Sequence, residues 1–238
     1  MGLMSRRCIP YTPNRRPLRQ LTIAIVTNSG VYRCDQAPFE TENDTSYRVI
    51  AGDPDAADLR IRHGHYDQAD ADRDVNCVFP IDRLRELAGE GVILAAANKH
   101  ISMGFSLNVR GVQNEIAPAI ADEIDRSDAD AVVLTAGCPH VCHRMIVALQ
   151  REIEMRGIPT VLITVSPEDT RQMGPPRAIY PRDFQPGSVT GHAGQAELQR
   201  RVLLDALERL VIPTEPGAIV EYDYPGYHAL NNPDSPTS

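Results

Sequence analysis

The sequence predicts an α/β fold: a Rossmann-like layered sandwich built on a mostly parallel sheet. Three observations carry that reading. The run Leu21-Thr22-Ile23-Ala24-Ile25-Val26-Thr27 is β-branched and nearly continuous, the pattern of a strand buried on both faces. Residues 131–135 and 160–165 are runs of the same kind. Segments of helical period lie between them, and helix, strand, helix, strand in short succession is the rhythm of right-handed βαβ units.

Taken in order, the first strand ends in Asn28-Ser29-Gly30-Val31-Tyr32, a small-residue turn at the carboxyl edge of the sheet. Residues 33–60 are polar and irregular. Ile81, Leu84 and Leu87 are in helical phase after Pro80, which suits a first helical turn, and Gly89 and Gly91 end the segment. Residues 92–96 read as a short strand. A helix over 112–126 follows from Ile116, Ile120 and Ile124, with Pro118 expected to kink it. The strand at 131–135 leads through a turn to a helix at 145–155, then to the strand at 160–165. Residues 166–194 hold five prolines and four glycines with no period, which suggests a lid or binding loop. Leu198, Val202, Leu203, Leu207 and Leu210 mark a last helix over 195–210. Residues 1–20, with five arginines, read as a flexible basic arm. Residues 21–212 read as a single domain, with two lobes dividing near residue 110 as an alternative. Residues 213–238 read as a tail, disordered from 229.

Composition narrows the function. A 238-residue chain with 42% hydrophobic and 24% charged residues is of the soluble globular class. A net charge of -8 argues against nucleic acid as a partner. No apolar run approaches the roughly 20 residues that cross a bilayer, and no secretory signal is apparent. Five cysteines without repeating spacing make no disulfide framework. The expected location is therefore the cytoplasm, where a C-x-x-x-C pair is more often catalytic or metal-binding than structural.

That pair lies in Gly137-Cys138-Pro139-His140-Val141-Cys142-His143, between a buried strand and a helix. In open α/β sheets, ligands gather at the carboxyl ends of strands. With Pro139 as the first helical residue, Cys138 is expected to lie exposed where the sheet edge meets the N-cap, where free amides and the helix dipole favour a thiolate. Cys142 is one turn on and could pair with it. His140 and His143 titrate near neutral pH and could move protons. The same four side chains also offer sulfur and nitrogen to zinc or copper. Four ligands in six residues surround one tetrahedral ion poorly, so no metal is expected. Cys77 reads as core, and Cys8 and Cys34 carry no signal.

A second polar group runs from His63 to Asn76. Asp70, Asp72, Asp74 and Asn76 alternate like the start of a calcium loop, but Val75 and Ile81 stand where glycine and glutamate are needed. The loop is either a solvated acidic cap or one that presents carboxylates and His63 or His65 to a substrate amine.

Together these segments resemble a known family. Residues 26–32, Pro38-Phe39 and Asp44-Thr45-Ser46-Tyr47-Arg48 are similar to the opening of the selenoprotein B family of glycine, betaine, sarcosine and D-proline reductases. His65-Tyr66-Asp67 through residues 74–84 resembles its middle signature. Residues 137–144 resemble its redox motif, and Gln185-Pro186-Gly187 with Gly191-His192-Ala193-Gly194 its glycine-rich loop. The size suits the D-proline type. The resemblance implies reductive cleavage of a carbon–heteroatom bond, with Cys138 standing where family members carry selenocysteine. It implies Cys138, Cys142, His140 and His143 as catalytic residues, and Gly30, Tyr32, His65, Asp74, Asn76, Gly191 and His192 as the substrate pocket. It also implies a small-molecule substrate, a dithiol or thioredoxin-like donor, and a second reductase subunit or a homo-oligomer. No cofactor is expected in this chain; a pyruvoyl group would lie on the partner subunit. Two other readings stand beside it: a cofactor-independent racemase using Cys77 and Cys138, and a non-catalytic metal- or partner-binding module. No G-x-G-x-x-G follows the first strand, which argues against a dinucleotide enzyme.

Overall fold

A computed structural model describes residues 8–228. Eight strands form one sheet: β1 (Thr22–Thr27), β3 (Tyr47–Ala51), β5 (Ala95–Ala96), β6 (Lys99–Met103), β7 (Ala131–Thr135), β8 (Thr160–Ile163), β9 (Arg177–Pro181) and β10 (Ala218–Tyr222). The order is β10-β9-β8-β7-β1-β6-β3, and β5 also pairs with β1. All pairings are parallel except β3 with β6. β2 (Val31–Arg33) and β4 (Leu59–Ile61) form a small antiparallel ribbon. The Rossmann-like α/β expectation holds. Strands before residue 110 (β3, β6, β5 and β1) and after it (β7 to β10) occupy separate halves of one continuous sheet, joined by the pairing of β1 with β7.

Alternation along the strands sorts the core into two layers. Ile23, Ile25, Val133, Val161 and Ile163 face α2 (Ile81–Gly89) and α7 (Ala196–Glu208). Ala24, Val26, Val132, Leu134 and Leu162 face α4 (Ala117–Asp125) and α5 (Val141–Met155). The chain leaves β1 toward the first layer and leaves β7, its neighbour, toward the second. The loops that follow these two strands therefore diverge and open a crevice at their carboxyl ends, the usual ligand position in such sheets.

Several elements differ from the sequence expectation, each for a physical reason. The helix around Pro118 runs unbroken through α3 (Val109–Gly111), a π-turn (Val112–Ile116) and α4. In the π-turn Ala117 N–H reaches back five residues to Val112, so Pro118 falls in the first turn of α4, where a missing N–H costs little. Residues 33–60 include β3, and residues 166–194 include α6 (Pro167–Met173) and β9. A half-exposed edge strand and a prolyl strand carry weak apolar patterns. The arm expected over 1–20 is anchored in its described part: Thr12 Oγ1 donates to the Glu154 carbonyl (2.8 Å), Arg177 lies over the Tyr11 ring (4.2 Å), and Arg16 pairs with Asp130 (2.5 Å). The tail expected from 213 supplies β10 and α8 (Pro225–His228), with Tyr224 and Tyr227 buried. The disorder expected over 229–238 lies outside the described residues. Among the described residues, no helix is long and apolar enough to cross a membrane.

Among the described residues, three histidines are buried as neutral rings. Burial pushes His63, His100 and His143 down to about 4. A depressed histidine pKa means the unfolded chain binds more protons between about 6.5 and 4, so stability falls as pH drops through that window. Burial raises Glu154, which opposes the trend, but it is one group against three. Urea unfolding from pH 8 to 4 should give a plateau above about pH 6.5 and a progressive loss below it. A flat profile would mean these rings are solvated.

Candidate active site

The loop after β7 carries the sulfurs. Cys138 and Cys142 are joined in a disulfide, with Cα atoms 5.5 Å apart. Two sequence expectations are corrected here. α5 begins at Val141 and not at Pro139: His140 precedes it with φ 60° and ψ −97°, a reversal that folds Cys138 back beside the first turn. The sulfurs are also not exposed. Cys138 is 2% accessible and Cys142 is fully buried, among Met145, Ile146 and the β7 side chains.

Among the described residues, neither histidine beside the cysteines hydrogen-bonds a sulfur. His143 is buried; its Nδ1 donates to the Cys138 carbonyl (2.8 Å) and its Nε2 accepts from Val165 N–H (3.2 Å). Both ring nitrogens are engaged with backbone, so His143 braces the turn against the end of β8. His140 has a largely exposed side chain and pairs with Asp169 (2.8 Å). Arg144 holds the other Asp169 oxygen (2.8 Å). Burial raises the Asp169 carboxyl, but the bonds from His140, Ser166 and Arg144 outweigh it and keep it below the usual range.

The imidazole at the sulfurs is His63, with Nε2 3.5 Å from Cys142 Sγ. His63 Nδ1 accepts the His65 backbone N–H (3.1 Å), so the neutral ring carries its proton on Nε2, facing the sulfur. In the reduced protein that N–H would favour a Cys142 thiolate. Local sequence favoured His140 and His143 because they adjoin the cysteines. The missed signal is alternation: Leu59, Ile61 and His63 continue one face of β4, and Leu59 and His63 are buried. His63, Cys138 and Cys142 present ligand atoms within 4.8 Å of one another. Even reduced, this set suits a metal poorly. A metal on Nε2 would move the proton to Nδ1, against the His65 N–H.

Two further contacts frame the pair. Asn28, at the end of β1, donates from Nδ2 to the Cys142 carbonyl (2.7 Å), while its buried Oδ1 has no partner among the described residues. Tyr66 donates to the Ser29 carbonyl (2.9 Å), and its ring is held between Gly137 and Gly187. Above Tyr66 and Pro139 opens a cavity of about 560 Å³, also lined by His65, Asp70, Arg73, Ser188 and His192.

The remaining expected pocket residues separate. His192 and His65 border this cavity, His65 stacked on Phe105 (ring centroids 3.6 Å apart). Gly191 precedes His192 with φ +140°. Gly30, at φ +74°, lies so close to the Arg62 carbonyl that a Cβ would meet it at 2.2 Å. Tyr32 packs edge-on to Phe39 and does not line the cavity. Asp74 and Asn76 border a separate cavity of about 400 Å³. Asp74 accepts from Asn76 N–H (3.1 Å) and Gln199 Nε2 (2.8 Å), and Asn76 Oδ1 caps α2 by accepting from Asp82 N–H (2.9 Å). Burial raises the Asp74 carboxyl, but these bonds hold it below normal. Asp74 and Asn76 thus staple the acidic loop to α2 and α7. Cys77 belongs to the α2/α7 layer, on the opposite side of the sheet from Cys138, and burial pushes its thiol strongly up. That placement removes the basis for a Cys77/Cys138 racemase pair.

The family model of glycine/sarcosine/betaine reductase selenoprotein B matches residues 3–137, ending beside Cys138. D-proline reductase subunit gamma of Acetoanaerobium sticklandii is 39% identical over 230 residues, 94% of each chain. Glycine reductase complex component B subunit gamma of Symbiobacterium thermophilum is 28% identical over 90% of this chain and 51% of its own length. Sarcosine reductase complex component B subunit beta of Peptoclostridium acidaminophilum is 32% identical over 67% of this chain and 38% of its own. The chain thus spans about half or less of these glycine- and sarcosine-type relatives. No solved structure matches.

The packing around Tyr66 is testable. A Cβ on Gly187 would lie 2.4 Å from the Asp67 carbonyl at φ +87°, and one on Gly137 2.9 Å from Ser29 Cα and 2.6 Å from the Tyr66 ring. Gly187→Ala and Gly137→Ala should each lower unfolding free energy by about 2 kcal/mol or more. Gly89→Ala, with nothing within 4 Å, should leave it unchanged or raised. Urea titration of the three variants checks the contrast.

Proposed function

The chain belongs to the glycine/sarcosine/betaine reductase selenoprotein B family, and on that premise we propose that it is a thiol-dependent subunit of a reductase complex that cleaves a C–N bond in a D-proline- or glycine-type substrate. One observation carries the reading: Cys138 and Cys142 are bonded at the switch point of the sheet beside the Nε2–H of His63, and Pro139, the neighbour of Cys138, lines a cavity.

The reduced pair would act in two steps. The Cys138 thiolate attacks the carbon that bears the nitrogen. A C–S bond forms, the C–N bond breaks, and nitrogen departs with the electron pair and takes a proton. The Cys142 thiolate then attacks Cys138 sulfur; the S–S bond forms, and carbon leaves with the C–S pair and takes the second proton. The substrate gains two electrons and two protons, which the dithiol loses. A dithiol or thioredoxin-like donor in the cytoplasm returns them by exchange. His63 lowers the cost of the Cys142 thiolate. Amide carbonyls do not condense with an amine; a pyruvoyl group on a partner subunit would supply the keto carbonyl that binds the substrate amine. Sulfur in place of selenium leaves more of the activation to the surrounding residues, because a thiol is less ionised than a selenol at neutral pH.

The test is mass spectrometry of the complex reduced with dithiothreitol, then exposed to D-proline or glycine. Wild type should form the 138–142 disulfide with substrate. Cys142→Ser should accumulate a substrate adduct on Cys138, and Cys138→Ser should leave the Cys142 sulfur unreacted. A wild-type pair that stays reduced while product forms would sink the reading.

A further inference from the structure

A reductant, and the substrate in the reading above, must reach Cys138 and Cys142. Yet both are buried, and neither lines the nearby cavity of about 560 Å³. One side chain belongs to both regions. Tyr66 lines the cavity and also packs on the buried cluster that holds the two cysteines. Its ring lies against Gly137, the residue before Cys138. It also lies 4.8 Å, between centroids, from the ring of His63, whose Nε2 is 3.5 Å from Cys142 Sγ.

The tyrosyl ring sits in a slot. Gly137 forms one wall and Gly187 the other, and Gly187 N–H donates to the Gly137 carbonyl (3.2 Å), so the walls are tied together. A Cβ on Gly137 would come within 2.6 Å of the ring and one on Gly187 within 3.0 Å, so the ring fits because both walls are glycine. Movement toward either wall is blocked. The tyrosyl hydroxyl donates to the Ser29 carbonyl (2.9 Å), which fixes the ring in the slot. The side left open is the cavity. Other parts of its lining are braced: Asp70 Oδ2 holds His192 Nδ1 (2.5 Å) and accepts from Ser188 Oγ (2.9 Å), and His65 stacks on Phe105.

We propose that Tyr66 is the gate of the site. Its ring closes the way from the cavity to the Cys138–Cys142 bridge, and it turns into the cavity to admit the reactant. The purpose of the gate rests on the reductase reading; the gate itself rests on the slot, the cavity and the buried bridge. Opening gives up the Ser29 hydrogen bond and the glycine contacts and leaves the backbone of the slot in place.

The experiment follows reduction of the bridge by dithiothreitol in the purified, oxidised full chain, with no substrate present. A thiolate of the reagent attacks one sulfur, the S–S bond breaks, and its electron pair leaves on the other sulfur, which takes a proton. The second thiolate of the reagent then displaces the attacked cysteine and closes the reagent's own disulfide. Alkylation and mass spectrometry at timed intervals count free Cys138 and Cys142. Tyr66→Phe keeps the ring and loses the Ser29 bond, and it should be reduced roughly 2- to 10-fold faster than wild type. Tyr66→Ala should be faster still, roughly 10-fold or more over wild type, because no ring is left to turn. Leu84→Ala hollows the buried α2 layer on the other face of the sheet from Cys138; it should be less stable to urea, with a reduction rate within about twofold of wild type. A wild-type rate in Tyr66→Ala overturns the gate. A Leu84→Ala rate equal to that of Tyr66→Ala also overturns it, because unfolding would then expose the sulfurs. Should Tyr66→Ala not fold, a wild-type rate in Tyr66→Phe overturns it. None of these results touches the reductase reading, which falls only if the wild-type pair stays reduced while the complex turns over D-proline.

Discussion

The pairing of β1 with β7 is the constraint on which the rest depends. Their five-residue parallel register ends at Thr27 and Thr135, whose hydroxyl oxygens lie 2.9 Å apart. From that point hydroxyl contacts spread into three loops. Thr27 Oγ1 donates to Ser29 Oγ (2.7 Å), and Thr135 Oγ1 reaches the Val78 carbonyl (2.6 Å). The segments after β1, after β7 and before α2 are thus tied to one buried spot. A residue slip between the two strands would move Asn28 away from Cys142 and turn inward-facing side chains to the other layer.

What the sequence made legible follows from burial. The runs at 21–27, 131–135 and 160–165 are sandwiched between layers, so selection for apolar side chains leaves an unbroken signal. β3 and β10 lie at the sheet's edges and are half-exposed, and their composition reads as loop. Pro139 is a misleading marker: proline fits the first turn of a helix, but here it precedes a reversal at His140 that contacts from His143, Asn28 and Asp169 hold, and local propensity cannot foresee those. The terminal segments misled for another reason. Thr12, Tyr11, Tyr224 and Tyr227 find partners 19 to 203 residues away, which no windowed pattern detects.

The site repeats that lesson. Sequence proximity drew attention to His140 and His143, yet the ring at the sulfur comes from 79 residues upstream of Cys142. His140 and His143 serve the backbone: one tethers the turn to Asp169, the other braces it to β8. The C-x-x-x-C spacing located the reactive pair because its closure is local. The carboxylate–imidazole pair across the cavity joins residues 122 positions apart, and nothing in either stretch alone announces the other.

The brackets around the turn have a consequence for a reversible cross-link. The Cys138 carbonyl is held by His143, the Cys142 carbonyl by Asn28, and His140 by Asp169; none of these contacts uses a sulfur atom. Breaking the bridge therefore leaves its scaffold standing. The chain has the makings of a device that cycles between two oxidation levels with little reorganisation, and the same cradle could hold a heavier chalcogen without being rebuilt.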